Sequence, residues 1–139
     1  MLDPGLSFGQ VISNNILMNI FKCKNCGGMR RSIRTNSLVL IMDKTKKIYN
    51  DRRVKDRVYF TGMGRKGSMD LTFDQNKTLH ESNKNGVDTF LFEVNNIGEY
   101  SYMGRVILDG EPYQEFQNDV ENIKRKVWIF PLKLMDYPR

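Results

Sequence analysis

The stretch Tyr59-Phe60-Thr61-Gly62-Met63-Gly64-Arg65-Lys66-Gly67 says more about the fold of this chain than any other segment. Its first residues continue Val58 into a short strand, which then enters a glycine-rich loop. Glycine lets the backbone approach a ligand closely or adopt a positive φ, and Arg65 and Lys66 can reach phosphates from this loop. The pattern Gly62-x-Gly64-x-x-Gly67 also matches a dinucleotide fingerprint, but no helical crossover of the required length follows it. We therefore predict a ligand-contacting loop and no bound cofactor.

Apolar runs on both sides of this loop predict further strands. Residues 37–42 form an apolar run of strand length, which is typical of a strand buried on both faces. Strands are also predicted at 58–61, 89–94, 100–108 and 127–132, with a basic turn at 44–47. Short helices are predicted after Asn14 or Asn15, either of which could form the N-cap, and over 75–82 after Asp74. This content predicts an α+β, mainly β fold with a curved, barrel-like sheet, in one domain spanning residues 1–139.

Charge is distributed unevenly along the chain, which has a net charge of +6. Residues 22–66 contain 14 Lys and Arg against 3 Asp and Glu, a net charge of +11. Residues 67–139 contain 8 against 12, a net charge of −4. Segregation of this kind is typical of a protein that binds a polyanion, and nucleic acid is the partner it favours. The alternative is a basic face that is merely solvated.

Apolar runs, the amino terminus and the cysteines together indicate the compartment in which the protein is expected. No apolar run approaches the roughly 18 residues of a membrane span, and the amino terminus lacks a signal-peptide pattern. Cys23 and Cys26 form half of a zinc ribbon, but a closed zinc site needs further ligands and only His80 is available. We expect reduced thiols, no metal site, no membrane association and an intracellular protein.

Few residues of the sequence are candidates for a catalytic site. A single histidine excludes an HNH nuclease site within this chain, and His80 beside Glu81 is predicted on a polar helix. An alternative remains open in the carboxyl-terminal acidic residues, which could bind the metal of a nuclease although they match no ligand motif. These residues are Glu111, Glu115, Asp119 and Glu121. We predict that the isolated chain is not an enzyme.

Binding chemistry uses more of the chain. Tyr49 and Phe60 offer flat faces, and a stacked base gains about 1–3 kcal/mol. Extracting a base from a duplex costs a few kcal/mol, so two rings and added hydrogen bonds could offset base flipping. Asp51 can accept a hydrogen bond from an exocyclic amine such as N4 of cytosine. The alternative is that both rings belong to the core and that Asp51 only caps a turn.

Several motifs in order resemble the SRA (SET and RING-associated) family, over about residues 27–134. The resemblance is strongest to SRA-like domains at the amino end of bacterial modification-dependent HNH restriction endonucleases. Its motifs are Gly27-Gly28-Met29-Arg30-Arg31-Ser32, Leu38-Val39-Leu40-Ile41, Tyr49-Asn50-Asp51, Tyr59-Phe60-Thr61-Gly62-Met63-Gly64, Asp74-Gln75-Asn76-Lys77-Thr78-Leu79, Leu91-Phe92-Glu93-Val94, Glu99-Tyr100-Ser101-Tyr102-Met103-Gly104 and Val127-Trp128-Ile129-Phe130-Pro131-Leu132.

The resemblance implies a PUA-like curved sheet whose concave face holds DNA and one flipped 5-modified cytosine. It places the stacking rings at Tyr49 and Phe60, the base-reading carboxylate at Asp51, and the loop near the C5 substituent at Thr61 and Gly62. The residues expected at the DNA backbone or groove are Gly28, Met29, Arg30, Arg31, Ser32, Arg65 and Lys66. Two positions depart from the family: Phe60 replaces a frequent tyrosine, and Lys66-Gly67-Ser68-Met69 replaces Lys-Gly-Asp-Gln.

The function implied is recognition of modified cytosine, such as 5-methylcytosine or 5-hydroxymethylcytosine, in double-stranded DNA. The domain would direct a bacterial defence endonuclease, in the cytoplasm, whose cutting domain is absent from this chain and is fused to it or associated with it. The alternatives are a PUA-like reader of RNA or of another DNA mark such as phosphorothioate, and the metal-dependent nuclease considered above.

Overall fold

The structure is a computed structural model that describes residues 2–138. Nine strands in this range form one mixed sheet, accompanied by two short helices. The strands are β1 (Val11–Ile12), β2 (Met29–Ser32), β3 (Ser37–Asp43), β4 (Arg52–Val54), β5 (Arg57–Thr61), β6 (Asp88–Asn96), β7 (Glu99–Leu108), β8 (Tyr113–Asn118) and β9 (Lys124–Leu134). The helices are α1 (Asn14–Phe21) and α2 (Gln75–His80). The predicted mainly β fold with short helices is confirmed.

The sheet runs in the order β2-β3-β6-β7-β9-β5-β4, while β1 adds to β7 and β8 adds to β9. Only the β3–β6 pair among these strands is parallel, and the other pairs are antiparallel. A register shift after Leu91 bends the β6–β7 pair, as bulges do in curved sheets. No helix of residues 2–138 is long and apolar enough to cross a membrane.

Strand β3 lies at the centre of the core and is buried on both faces, as its apolar run predicts. Leu38, Leu40 and Met42 point into the main core cluster, whereas Val39 and Ile41 pack into a second one on the opposite face. Helix α1 covers that second face with Leu17 and Phe21, and the ring of Phe21 lies 5.1 Å from Phe90 and 5.7 Å from Phe92. Burial of β3 from two sides therefore fixes the middle of the sheet.

The helix boundaries differ from the sequence prediction in two respects. Ser13, and not Asn14 or Asn15, caps α1, because its hydroxyl accepts the backbone N–H of Ile16 at 3.2 Å. The side chain of Asn14 is used elsewhere, donating to the carbonyl of Asn25. Helix α2 ends at His80, two residues short of the prediction, and Asp74 precedes it with a positive φ and no side-chain cap.

Four strands escaped sequence prediction because their residues are polar or few. They are β1, β2, β4 and β8. Strand β8, Tyr-Gln-Glu-Phe-Gln-Asn, is largely exposed and lies on the edge of the sheet beside β9. Edge strands lack the apolar alternation by which buried strands are recognised. Three of the four border the site described next.

Candidate functional site

A cavity of about 730 Å³ opens where β5 ends and its glycine-rich loop begins. Its walls come from the β2 entry, the segment between β3 and β4, the end of β5, and the loop over residues 62–73. All five predicted base-pocket residues line it: Tyr49, Asp51, Phe60, Thr61 and Gly62. The fold thus brings together residues that the sequence keeps on separate strands and loops.

Asp51 is fixed at the floor of this cavity. Its Oδ1 accepts the backbone N–H of Thr61 at 2.7 Å, which joins the β3–β4 segment to the end of β5. Burial of the carboxyl raises its pKa to about 6, against the opposing effects of the hydrogen bonds from Thr61 and the charges of Arg52 and Lys44. A desolvated carboxyl with directional hydrogen-bonding capacity is what reading a base edge requires.

The two predicted stacking rings have different surroundings. Tyr49 is partly buried, packs against Met69, Val127 and Ile129, and directs its hydroxyl toward the carbonyl of Gly64 at 3.5 Å. Phe60 is only 2% exposed and belongs to the main core. Both rings reach the cavity, but Phe60 also supports the fold. The stacking of a base between them stays a prediction.

The glycine-rich loop is held in one shape by Asn76. This fully buried side chain accepts the N–H of Met63 at 2.7 Å through Oδ1 and donates through Nδ2 to the carbonyls of Met63 and Asp70, each at 3.0 Å. Gly62 permits this approach, because a Cβ there would lie 2.7 Å from Asn76 Oδ1 and 3.0 Å from Phe130. The glycine is therefore required by packing against Asn76.

Arg125 holds the same loop from the β8–β9 hairpin. It is 4% exposed and donates to the carbonyls of Gly64 and Gly67. The hairpin tip adds a bond from the N–H of Val120 to the carbonyl of Arg65 at 3.3 Å. Sequence reasoning missed Arg125, because a basic residue between Lys124 and Lys126 looks like part of a solvated run. The signal was its position, in phase with the buried Val127 and Ile129.

Strand β8 braces the floor of the cavity from the other side. Gln117 donates to Thr61 Oγ1 at 3.1 Å and accepts the N–H of Asn50 at 3.1 Å. Glu115 forms a two-pronged ion pair with Arg52, at 2.8 and 2.9 Å, and this interaction lowers the pKa of Glu115. Gln117 was also missed, since β8 was not predicted at all.

Three of the four acidic residues of the nuclease alternative, all except Glu111, are engaged with other groups. Glu115 pairs with Arg52, Glu121 pairs with Lys66, and Asp119 accepts the N–H groups of Glu121 and Ile123. Across residues 2–138, no three His, Cys, Asp or Glu side chains converge as a metal site. The geometry offers this alternative no support.

The predicted backbone and groove residues divide into two groups. Gly28, Met29, Arg30, Arg65 and Lys66 line the cavity, whereas Arg31 and Ser32 do not. Arg65 and Lys66 are exposed, and Lys66 forms an ion pair with Glu121 at 2.7 Å. Their contact with DNA stays a prediction.

Arg31, Ser32 and also the cavity-lining Arg30 make hydrogen bonds within the protein. Arg30 is 3% exposed and donates to the carbonyl of Gly27 at 2.9 Å and to Asn14 Oδ1 at 2.6 Å. Arg31 donates to the carbonyl of Ser37 at 3.0 Å, and the buried Ser32 hydroxyl donates to the carbonyl of Lys22 at 3.1 Å. The guanidinium group of Arg30 organises the turn before β2, and that of Arg31 organises the turn between β2 and β3. The positive surface is therefore smaller than the sequence suggests.

The two cysteines lie on that same turn as free thiols. Cys26 is exposed and lines the cavity, while Cys23 is partly buried. Burial raises the pKa of the Cys23 thiol, opposed by the nearby charge and hydrogen bond of Arg30.

Comparison with known proteins gives a family and a set of similar folds. The family described as "ScoMcrA-like, SRA domain" matches residues 8–139. No curated protein matches the chain in sequence. The SRA-containing structure of ScoMcrA with its sulfur-binding domain, complexed with phosphorothioated DNA, is similar at a TM-score of 0.74 and 15% identity, covering 96% of this chain and 43% of that one.

Two further structures with methylated DNA are similar to nearly the whole chain. The SUVH5 SRA complex with hemi-methylated CG DNA has a TM-score of 0.70 at 17% identity and covers 100% of this chain and 95% of that one. KRYPTONITE in complex with mCHG DNA has a TM-score of 0.68 at 17% identity, covering 97% of this chain and 33% of that one. The chain spans 43% and 30% of the two ScoMcrA chains that it resembles. The predicted SRA-like architecture is confirmed.

Proposed function

The chain belongs to the ScoMcrA-like SRA domain family, and from this we propose that it recognises 5-modified cytosine in double-stranded DNA. The base would be flipped into the cavity between Tyr49 and Phe60, with Asp51 reading its Watson–Crick edge. Thr61 and Gly62 would face the C5 substituent, and Arg65 and Lys66 would contact phosphates. The domain acts as a binding module and carries no catalytic step.

One observation carries this proposal: Tyr49, Asp51, Phe60, Thr61 and Gly62 line one cavity that is braced from three directions. Asn76, Arg125 and Gln117 fix its walls before any ligand enters. Preorganisation lowers the ordering cost of binding, which matters because base flipping itself costs a few kcal/mol. A cavity of about 730 Å³ has ample room for a modified pyrimidine.

The bound DNA in related structures agrees with this choice. SUVH5 SRA structures contain fully methylated, hemi-methylated and fully hydroxymethylated CG DNA. A second candidate is a phosphorothioate reader, because the ScoMcrA structure holds phosphorothioated DNA. That structure includes a sulfur-binding domain in addition to its SRA domain, so base recognition is the function we assign here.

The effector of this module lies outside the chain. ScoMcrA is a phosphorothioation-dependent restriction endonuclease of which this chain covers 30%. By analogy we propose a fused or associated nuclease, of HNH type, acting in bacterial defence in the cytoplasm. The SRA-like domain would then supply the choice of target.

The experiment that tests the proposal is a binding panel on one duplex sequence. The central cytosine is plain, methylated, hydroxymethylated or glucosylated, and a further arm carries a phosphorothioate linkage beside a plain cytosine. A 2-aminopurine next to the target base reports unstacking. We expect preference for a modified base and a rise in fluorescence on binding, both lost in Tyr49→Ala.

The matched control is Tyr137→Ala, which removes a partly buried tyrosine that packs on Phe8 away from the cavity. It should leave the preference and the fluorescence change intact. Equal affinity for plain and modified duplexes would refute modified-base recognition. Preference for the phosphorothioate arm would establish the second candidate instead, and tight modified-base binding without unstacking would refute flipping.

A further inference from the structure

A cationic and aromatic surface on the β8–β9 hairpin is not used by the cavity. Phe116 on β8 is 58% exposed, and it pairs in register with Lys126 on β9. The ammonium groups of Lys124 and Lys126 lie 4.6 and 5.9 Å from the centre of its ring. We call these three residues the hairpin patch.

The two lysines of the hairpin patch keep their charge unneutralised. No carboxylate within residues 2–138 forms an ion pair with either of them. The acidic side chains of the hairpin are engaged elsewhere: Glu115 with Arg52, Glu121 with Lys66, and Asp119 with backbone N–H groups. Two positive charges thus flank an exposed ring with nothing to compensate them locally.

The hairpin patch also adjoins the cavity. The carbonyl of Lys126 accepts the N–H of Met69, a cavity-lining residue, at 3.0 Å. Residues of β8 alternate across the strand, so Glu115 and Gln117 face the cavity floor while Phe116 points to the other face. The hairpin patch therefore lies on the outer face of the β8–β9 hairpin, and the bond to Met69 joins this hairpin directly to the loop that lines the cavity.

We propose that the hairpin patch binds the sugar–phosphate backbone of the DNA next to the recognised base. The ammonium groups of Lys124 and Lys126 would contact phosphates, and the ring of Phe116 would hold the two side chains together and pack on a sugar. Charge complementarity identifies the partner as a polyanion. The site extends the proposed function and rests on it, but it reads no base and should act equally on modified and plain DNA.

The test compares Lys124→Gln/Lys126→Gln with a control that removes two other exposed lysines, Lys55→Gln/Lys84→Gln. Lys55 lies in the β4–β5 turn, at the end of β5 opposite the cavity, and Lys84 lies after α2. The affinities for a 5-methylcytosine duplex and its plain counterpart are measured over a range of salt concentrations. Two lost phosphate contacts should reduce the slope of log affinity against log salt by about 1.8. The control should leave the slope unchanged.

Phe116→Ala provides an independent variant, because its side chain is largely exposed and its removal leaves the core intact. We expect a two- to fivefold loss of affinity on both duplexes, the scale of an exposed cation–aromatic contact. The ratio of modified to plain binding should stay at the parent value in every variant.

The outcomes separate the two proposals. Parent-like slopes and affinities in both hairpin variants overturn the hairpin patch and leave modified-base recognition standing. A reduced slope in a chain without modified-base preference supports the hairpin patch and refutes the proposed base recognition. An equal slope change in the Lys55/Lys84 control, or no DNA binding by the parent, also overturns the hairpin patch.

Discussion

Asp51→Asn should make the protein more stable at neutral pH while it weakens DNA recognition. The folded protein raises the pKa of Asp51 from 3.8 to about 6, chiefly by burying the carboxyl. The folded state therefore holds the proton more tightly than the unfolded chain. Stability falls as pH rises from about 3.8 to about 6, and the penalty persists in full above that.

The size of this penalty follows from the shift. A rise in the pKa of Asp51 from 3.8 to about 6, at 1.36 kcal/mol for each pH unit, amounts to about 3 kcal/mol at pH 7.5. An amide cannot ionise, yet its oxygen can still accept the N–H of Thr61. The free energy of unfolding of the variant should thus exceed that of the parent by about 3 kcal/mol at pH 7.5. Below about pH 3.8 the two proteins should be equally stable.

The assay is urea unfolding of parent and variant between pH 3.5 and 8, which gives the free energy of unfolding at each pH. Taking the difference cancels the other titrating groups. Asp119→Asn is the control, because hydrogen bonds from the backbone N–H groups of Ile123 and Glu121 lower the pKa of Asp119, so its stability difference should change with pH in the opposite direction. Binding of modified duplex should meanwhile fall roughly five- to 150-fold, the cost of losing a hydrogen bond of about 1–3 kcal/mol.

Two results would refute this reasoning. A stability difference that stays flat across pH would mean that the carboxyl is not desolvated in the folded state. An Asn variant that binds modified DNA as tightly and selectively as the parent would show that Asp51 is not the base-reading group.

Three further predictions concern the cavity wall. Phe60→Tyr should largely preserve binding, and Phe60→Leu should cost about 1–3 kcal/mol of stacking. Melting of the same variants separates this loss from the cavity that leucine leaves in the core, and parent-like binding by the leucine variant would assign Phe60 to the core alone. Arg65→Gln should weaken binding to plain and modified duplexes alike and lower the salt slope by about 0.9, and an unchanged slope would exclude a phosphate contact at this exposed side chain. Arg125→Met should reduce affinity although Arg125 does not itself contact DNA, because the carbonyls of Gly64 and Gly67 lose their hydrogen-bond donor. Arg125→Lys should restore part of the affinity, and equal affinity in all three proteins would show that DNA binding does not depend on these hydrogen bonds.

Local pattern predicted the elements whose burial is complete. The apolar run of β3 could only be a strand enclosed on both sides, and the period of β7 indicated its half-buried faces. The local sequence pattern could not predict β8 or β4, because these edge strands consist largely of polar residues and bury little apolar surface. The N-cap of α1 was predicted one or two residues late, at Asn14 or Asn15, because serine and asparagine both suit that position. The side chain of Asn14 instead contacts Arg30 and the carbonyl of Asn25.

The sequence by itself determined the family, the segregation of charge and the residue types available to hold a base. The tertiary structure decided which of these residues remain available to contact a ligand. Arg30 and Arg31 donate hydrogen bonds to backbone carbonyls. Arg125 donates to the carbonyl of Gly64, which lies 61 residues away in the sequence. The pKa of Asp51 is raised only because the fold buries its carboxyl. Each of these depends on distances between segments remote in the chain. A sequence pattern records which groups are present, whereas their desolvation and pairing are set by the neighbours that folding brings within a few ångströms.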